Sequence, residues 1–220
     1  MIPAGISFDE LNSLYNETHA DDMRSMPYEE YFGDMDLTEE QKDQRAETAK
    51  NIEEFTIYAL MSLFFMRQEG AFDYVAVSAD MIDEYNALLD RIGGRHTSAF
   101  SGFHVQNIVS EIIMATIGHP DDAYFYSEDR ARVIAENEAN AIWNDSEFAE
   151  AVFSGKTQKR WIAIIDRVTR DSHRAVNGTV LPIMEPFVVG DSLMMYPHDS
   201  ETFGAGAEEI VNCRCSVIYY

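Results

Sequence analysis

Thr38 and Gln41 stand at the spacing of a capping box, and behind them Ile52, Phe55, Ala59, Leu60, Leu63 and Phe64 recur at helical intervals. This pattern predicts a helix over about residues 38–69, the dominant element of the first half. Ile57, Met61 and Phe65 widen its apolar arc beyond one stripe, as in a helix buried between two neighbours or set against a partner protein. The chain has 220 residues, of which 46% are hydrophobic and 12% aromatic, enough for a real core in one large domain or two small ones.

A second helix is predicted from Ser78 to Arg91, closed by Gly93-Gly94, and a third from Phe103 to Ile117, with Pro120 ending it. Ser127 caps a fourth, with Glu128 and Asp129 in the first turn, where acids favour the helix dipole. Ile134, Ala141 and Ile142 face inward on it, and Glu138 shares that face, either as a paired structural acid or as a catalytic one. After Gly155 the pattern changes. Trp161 to Ile165, Val180 to Ile183, Pro186 to Val189 and Val211 to Ile218 read as short strands between turn residues. The expected class is α+β, with a helical N-terminal half followed by a mixed C-terminal domain carrying a small β-sheet. The expected division is an acidic arm at 1–36, a helical region at 37–120 and the mixed domain at 121–220.

Formal net charge is −23, and residues 1–126 hold 24 acids against 7 bases. Such a surface repels phosphate backbones, so sequence-independent DNA binding is not expected of the chain as a whole. The exception is Lys156, Lys159, Arg160, Arg167, Arg170 and Arg174, a patch that either touches nucleic acid or an acidic partner or balances the chain's own carboxylates. In the acidic stretch Ala20 to Asp36, acids alternate with Met23, Met26, Tyr28, Tyr31 and Phe32. Such a segment either docks on a basic groove or packs loosely on its own domain. The first residues lack a basic region followed by an apolar one, so no secretory signal is expected. The longest apolar run, Phe55 to Met66, falls short of the roughly 20 residues needed to cross a bilayer.

The sequence has no phosphate-binding glycine loop, no G-x-S-x-G elbow, no H-E-x-x-H helix and no C-x-x-C pair. It does carry RARVIAENEAN at 130–140, KRWIAIIDRVTRDSHRAVNG at 159–178, EPFVVG at 185–190, MMYPHD at 194–199 and EEIVNCRC at 208–215. The order and spacing of these strings resemble the phage Mu F-like minor head protein family over residues 127–217. The matching positions are Glu138, Trp161, Asp166, Thr169, Arg170, Asp171, His173, Gly178, Pro186, Phe187, Tyr196, Pro197, Asn212, Cys213, Arg214 and Cys215. The resemblance implies a non-enzymatic virion protein present in few copies near the portal inside the head, made in the host cytoplasm. It would act in capsid assembly, DNA packaging or ejection. The partner it implies is the portal protein, with major capsid or scaffold protein as further candidates; DNA would be touched only through the 156–174 patch, and no membrane is involved.

Two other classes of function stay open. One is a metal-dependent hydrolase or nuclease using Asp166, Asp171, His173 and the cysteines. The other is a toxin-associated module, since Mu F-like domains also occur fused to effectors. Cys213 and Cys215, one residue apart, make a poor disulfide staple. Together with His173 they are the candidate metal ligands, for a structural zinc whose remaining position would fall to Asp171, His198 or water. Alternatively both thiols are small core residues and His173 caps a turn.

Overall fold

The capping box forms. In the computed structural model, which describes residues 27–70, 73–96 and 100–220, the Thr38 side chain accepts from the Gln41 amide at 3.2 Å. The Gln41 side chain accepts from the Thr38 amide at 2.9 Å. Two amides are thereby bonded at a helix start, where the first turn has no intrahelical partners. A short helix, α1 (Tyr28–Tyr31), precedes the long one, α2 (Glu39–Glu69), which ends at Gly70 with φ 69°. Asp73 rather than Ser78 begins α3 (Tyr74–Ile92), because its carboxylate accepts from the Ala76 amide at 3.0 Å. A π-helical turn (Phe100–His104) leads into α4 (Val105–Gly118), and Ser127 caps α5 (Glu128–Phe153) by accepting from the Arg130 amide.

α2 lies along α5, its main packing partner. Ala46, Ala49 and Ile52 meet Ala135, Ala139 and Ile142, and these small side chains let the two helices approach closely. Farther along, Ala59, Leu60 and Leu63 pack with Val109, Ile112 and Ile113 of α4 and with Tyr126. The wide apolar arc of α2 is therefore used inside the chain, by α3, α4 and α5. Phe64 departs from expectation: it is 36% exposed and sets its ring edge-on to Tyr126 at 5.5 Å.

Of the acidic stretch, residues 20–26 lie outside those described. In the remainder, Tyr28, Phe32 and Met35 are buried in the core shared by α2 and α5, and the Tyr28 hydroxyl donates to Glu53 at 2.9 Å. These apolar groups pack on the chain itself and are not free to dock elsewhere.

The second half contains β1 (Gln158–Ile162), α6 (Asp171–Val176), β2 (Val180–Pro182), β3 (Phe187–Val189), β4 (Ser192–Met194), α7 (Ala207–Ile210) and β5 (Ser216–Tyr219). β1 is the centre of an antiparallel sheet ordered β2-β1-β5, and β3 and β4 form a separate hairpin. The class is α+β, as expected. The strands differ from prediction at their limits. β1 begins at Gln158 and leaves the sheet after Ile162, β2 stops before Ile183, β3 starts after Pro186, and Val211 to Cys215 is not a strand, because Asn212 turns there with φ 59°. The hairpin's second strand, β4, was not expected.

Trp161 is fully buried and stands edge-on to Phe187 at 5.1 Å. Lys159, counted above in the basic patch, is not on the surface. Its ammonium donates to the Met195 carbonyl at 2.7 Å and lies near the Phe148 and Phe187 rings. Burial lowers its pKa to about 8, against the pull of Asp199 and Glu185.

Candidate metal centre

The three donors expected from the sequence converge. His173 Nδ1 lies 3.3 Å from Cys215 Sγ and 3.7 Å from Cys213 Sγ, and all three residues are buried. Their ligand atoms lie within 4.8 Å of one another. A tetrahedral zinc with arms of 2.0 to 2.3 Å requires ligand atoms about 3.6 Å apart, so the spacing suits such an ion.

Local chemistry sets each donor in place. The Thr169 hydroxyl donates to the Ile164 carbonyl at 2.6 Å, and the Asp166 carboxylate accepts from the Val168 amide at 2.9 Å, so the loop is folded before α6 begins. Arg170 donates to the Val211 carbonyl at 2.5 Å, which draws the α7 end toward the start of α6. The Asn212 amide donates to Asn137 of α5 at 2.6 Å, and the Cys213 amide to the Ile210 carbonyl at 3.0 Å. Asn tolerates the left-handed conformation better than most residues, and the turn at Asn212 leads into the segment that carries both thiols.

Glu209, which the sequence reading passed over, completes the arrangement around His173. Its carboxylate lies 3.0 Å from His173 Nε2 and accepts from Ser172 at 2.7 Å. A hydrogen on Nε2 donated to Glu209 leaves the Nδ1 lone pair facing the sulfurs, as in carboxylate–histidine–metal arrangements. Burial pushes the Cys213 thiol up, but the hydrogen bond from Cys215 and the charges of His198 and His173 outweigh it and hold Cys213 well below the usual thiol range. Cys215 is pushed up, by its hydrogen bond to Cys213 and by burial. For His173, burial works against the proton, but the Cys213 hydrogen bond and charge raise the ring above its ordinary value.

The acids that a hydrolytic reading needs are placed otherwise. Asp166 pairs with Arg214, whose hydrogen bond leads in lowering its pKa to about 2, and Asp171 is exposed in the first turn of α6. Neither belongs to the converged donor group. A pocket of about 30 Å³ opens beside the thiols, lined also by Thr169 and Arg170.

A second buried cluster lies where α3, α4 and α5 meet the segment after β4. Glu138 is paired, one of the two readings of its position: it accepts from the Tyr85 hydroxyl and lies 2.6 Å from His104 Nε2. His104 Nδ1 is 3.5 Å from Glu201. Burial opposes a charge on His104, but the Glu138 charge and hydrogen bond raise its pKa to about 10. Glu138 is itself lowered, because His104 and Tyr85 outweigh its burial. Nothing in the spacing of His104 or Tyr85 marks them; only the packing of α3 and α4 against α5 brings them to Glu138.

Polar groups of α5 bind the second half of the chain throughout. Asn144 donates to the Pro197 carbonyl at 3.2 Å, the Tyr196 hydroxyl donates to Asp145 at 2.7 Å, and Asn137 receives the Asn212 amide. The molecule is thus an α+β protein in which one polar helix joins a helical layer to a small-sheet module with a thiol–imidazole centre. A family model described as Phage Mu protein F like protein matches residues 105–218, from α4 to β5. That match covers more than half of the chain, and the protein belongs to this family. No curated protein and no solved structure matches it.

Proposed function

We propose that the protein is a phage minor head protein that acts at the portal vertex during capsid assembly, DNA packaging or ejection. Its C-terminal module, in this reading, is clasped by a structural zinc on His173, Cys213 and Cys215. The observation that carries the first part is the family match over residues 105–218, which takes in α4, α5 and every element of the small-sheet module. The zinc rests on the convergence of three zinc-preferring donors at suitable spacing. An assembly role is compatible with the described residues, none of whose helices is long and apolar enough to cross a membrane.

The partner is the portal protein, with capsid or scaffold protein as secondary contacts. DNA would be met through Lys156, Arg160, Arg167 and the neighbouring arginines, since Lys159 is buried. Mass spectrometry of purified virions and procapsids tests the reading. The protein is expected in both in few copies, and its absence from both would overturn the assembly role.

A further inference from the structure

Among the described residues, His198 is a buried side chain that the contacts of the fold leave unexplained. It is 3% exposed, and neither ring nitrogen has a hydrogen-bond partner among the described residues. Leaving two ring nitrogens buried without partners is costly, so a side chain kept there needs a reason. Its backbone is also held at φ 69°, a conformation rare for a residue with a β-carbon. The surrounding loop enforces that position. The Tyr196 hydroxyl is tied to Asp145, and the Pro197 carbonyl accepts from Asn144. The Asp199 carboxylate accepts from the Met195 and Thr202 amides at 2.8 and 2.9 Å.

The ring sits in the field of the triad. Asn140 and Asn144, one turn apart on α5, donate to the Cys213 and Pro197 carbonyls at 3.5 and 3.2 Å, which brings the residue after Pro197 alongside the thiol segment. Cys213 and His173 are among the groups that act on the ring's charge, together with Glu138 and Arg45. Burial, the largest influence, favours the neutral ring, the form in which imidazole binds a metal.

The geometry points to His198 as the fourth protein ligand of the metal centre, closing His173, Cys213 and Cys215 into a two-sulfur, two-imidazole site suited to zinc. This rests on the zinc assignment made above and decides its kind. Four protein ligands make a closed structural site, whereas three with a water would leave the open position that metal hydrolases use. Tetrahedral S2N2 ligation selects zinc over harder cations. Glu209 is then a positioning residue that orients His173 from behind. The ring of His198 must tilt toward the thiols to ligate, since it is not one of the three donors whose ligand atoms already lie within 4.8 Å of one another. The consequence is mechanical. Glu201, three positions on, contacts His104, so the loop that supplies the fourth ligand also reaches the helical layer.

The test uses the full chain, loaded with Zn2+ or with Co2+ as a spectroscopic substitute, in the wild type and in Cys213→Ser and His198→Asn. The wild type is expected to hold one ion per chain with the intense visible bands of tetrahedral cobalt. His198→Asn should bind at least about 10-fold more weakly in chelator competition, with cobalt bands altered by an incoming water, and added imidazole should restore them in His198→Ala. Unchanged affinity and bands in His198→Asn, with metal lost in Cys213→Ser, would overturn the fourth ligand and leave the triad standing. A wild type that takes up no zinc would overturn both. X-ray absorption of the wild-type zinc protein gives the answer even if the variants misfold: two sulfurs and two imidazoles support the proposal, and one imidazole with an oxygen overturns it.

Discussion

The two buried histidine clusters differ in how far their polar groups satisfy one another. Around His104, each ring nitrogen faces a carboxylate and Glu138 also takes the Tyr85 hydroxyl, so donors and acceptors balance without help. Around His173, two sulfurs and Nδ1 lie within 4.8 Å of one another, and Glu209 bonds only the far side of the ring. The first is complete as folded; the second collects donors of the kind that the proposed zinc would bind. Buried polar groups can thus either close on themselves or stay poised for a ligand, and an inventory of partners tells the two apart.

The largest effect is expected from Glu138→Ala, which leaves His104 and Tyr85 buried without their shared acceptor. Removing one member of a buried pair costs about 3–5 kcal/mol, and about 2–4 °C of melting temperature accompanies each kcal/mol at this chain length. Calorimetry should find the same loss with and without zinc, since this cluster does not involve the metal. A loss that depended on zinc would break the comparison.

Next comes pH. The folded His104 pKa, raised from 6.5 to about 10, means that its contribution is fully present below pH 6.5 and is lost as pH rises through about 10. Glu138 is lowered from 4.5, so its contribution is present above 4.5 and is lost as pH falls through its folded value. The pair therefore gives its full support between pH 4.5 and 6.5. Above that window, stability should decline by up to about 1.4 kcal/mol per pH unit. Urea midpoints across this range, beside a His104→Gln control with a flattened slope, measure it. A His104 ring that titrates near its ordinary value by NMR would refute the pairing.

The smallest effect sharpens the other side. Gly190, at φ 59° in the β3–β4 turn, backs directly onto the Glu209 carboxylate. Gly190→Ala should cost about 1–2 kcal/mol from the left-handed backbone and, by displacing Glu209 from His173, weaken zinc binding about 10-fold. Amide exchange in α2 and α3 should be unchanged. Full zinc affinity in this variant would show that Glu209 does not position the ligand.

Much of the helical half was legible because its signals are local. The Thr38–Gln41 box and the Ser127 cap act within one turn of chain. The α3 start lies at Asp73 rather than Ser78 because the Asp73 carboxylate caps the Ala76 amide, while Ser78 bonds the Tyr74 carbonyl inside the helix. In the second half the strands were overextended. An apolar β-prone run such as Trp161 to Ile165 does not say where its partner strands end, and here β5 pairs only as far as Ile162. Lys159 read as surface charge because nothing local announces the Met195 carbonyl and the two rings that receive it.

The α+β class, the helix with its cap, the family strings and three candidate donors are legible from residue type and short spacing alone. Tertiary structure alone decided which groups became partners. Glu138 meets a histidine 34 positions away, His173 meets Glu209 at 36 and Cys215 at 42, and His198 has no hydrogen-bond partner among the described residues. Contacts at such separations carry no periodicity. They exist only once α3, α4 and α5 have packed and the Asn212 turn has directed the chain, because burial is what forces each polar group to find a partner or await a ligand.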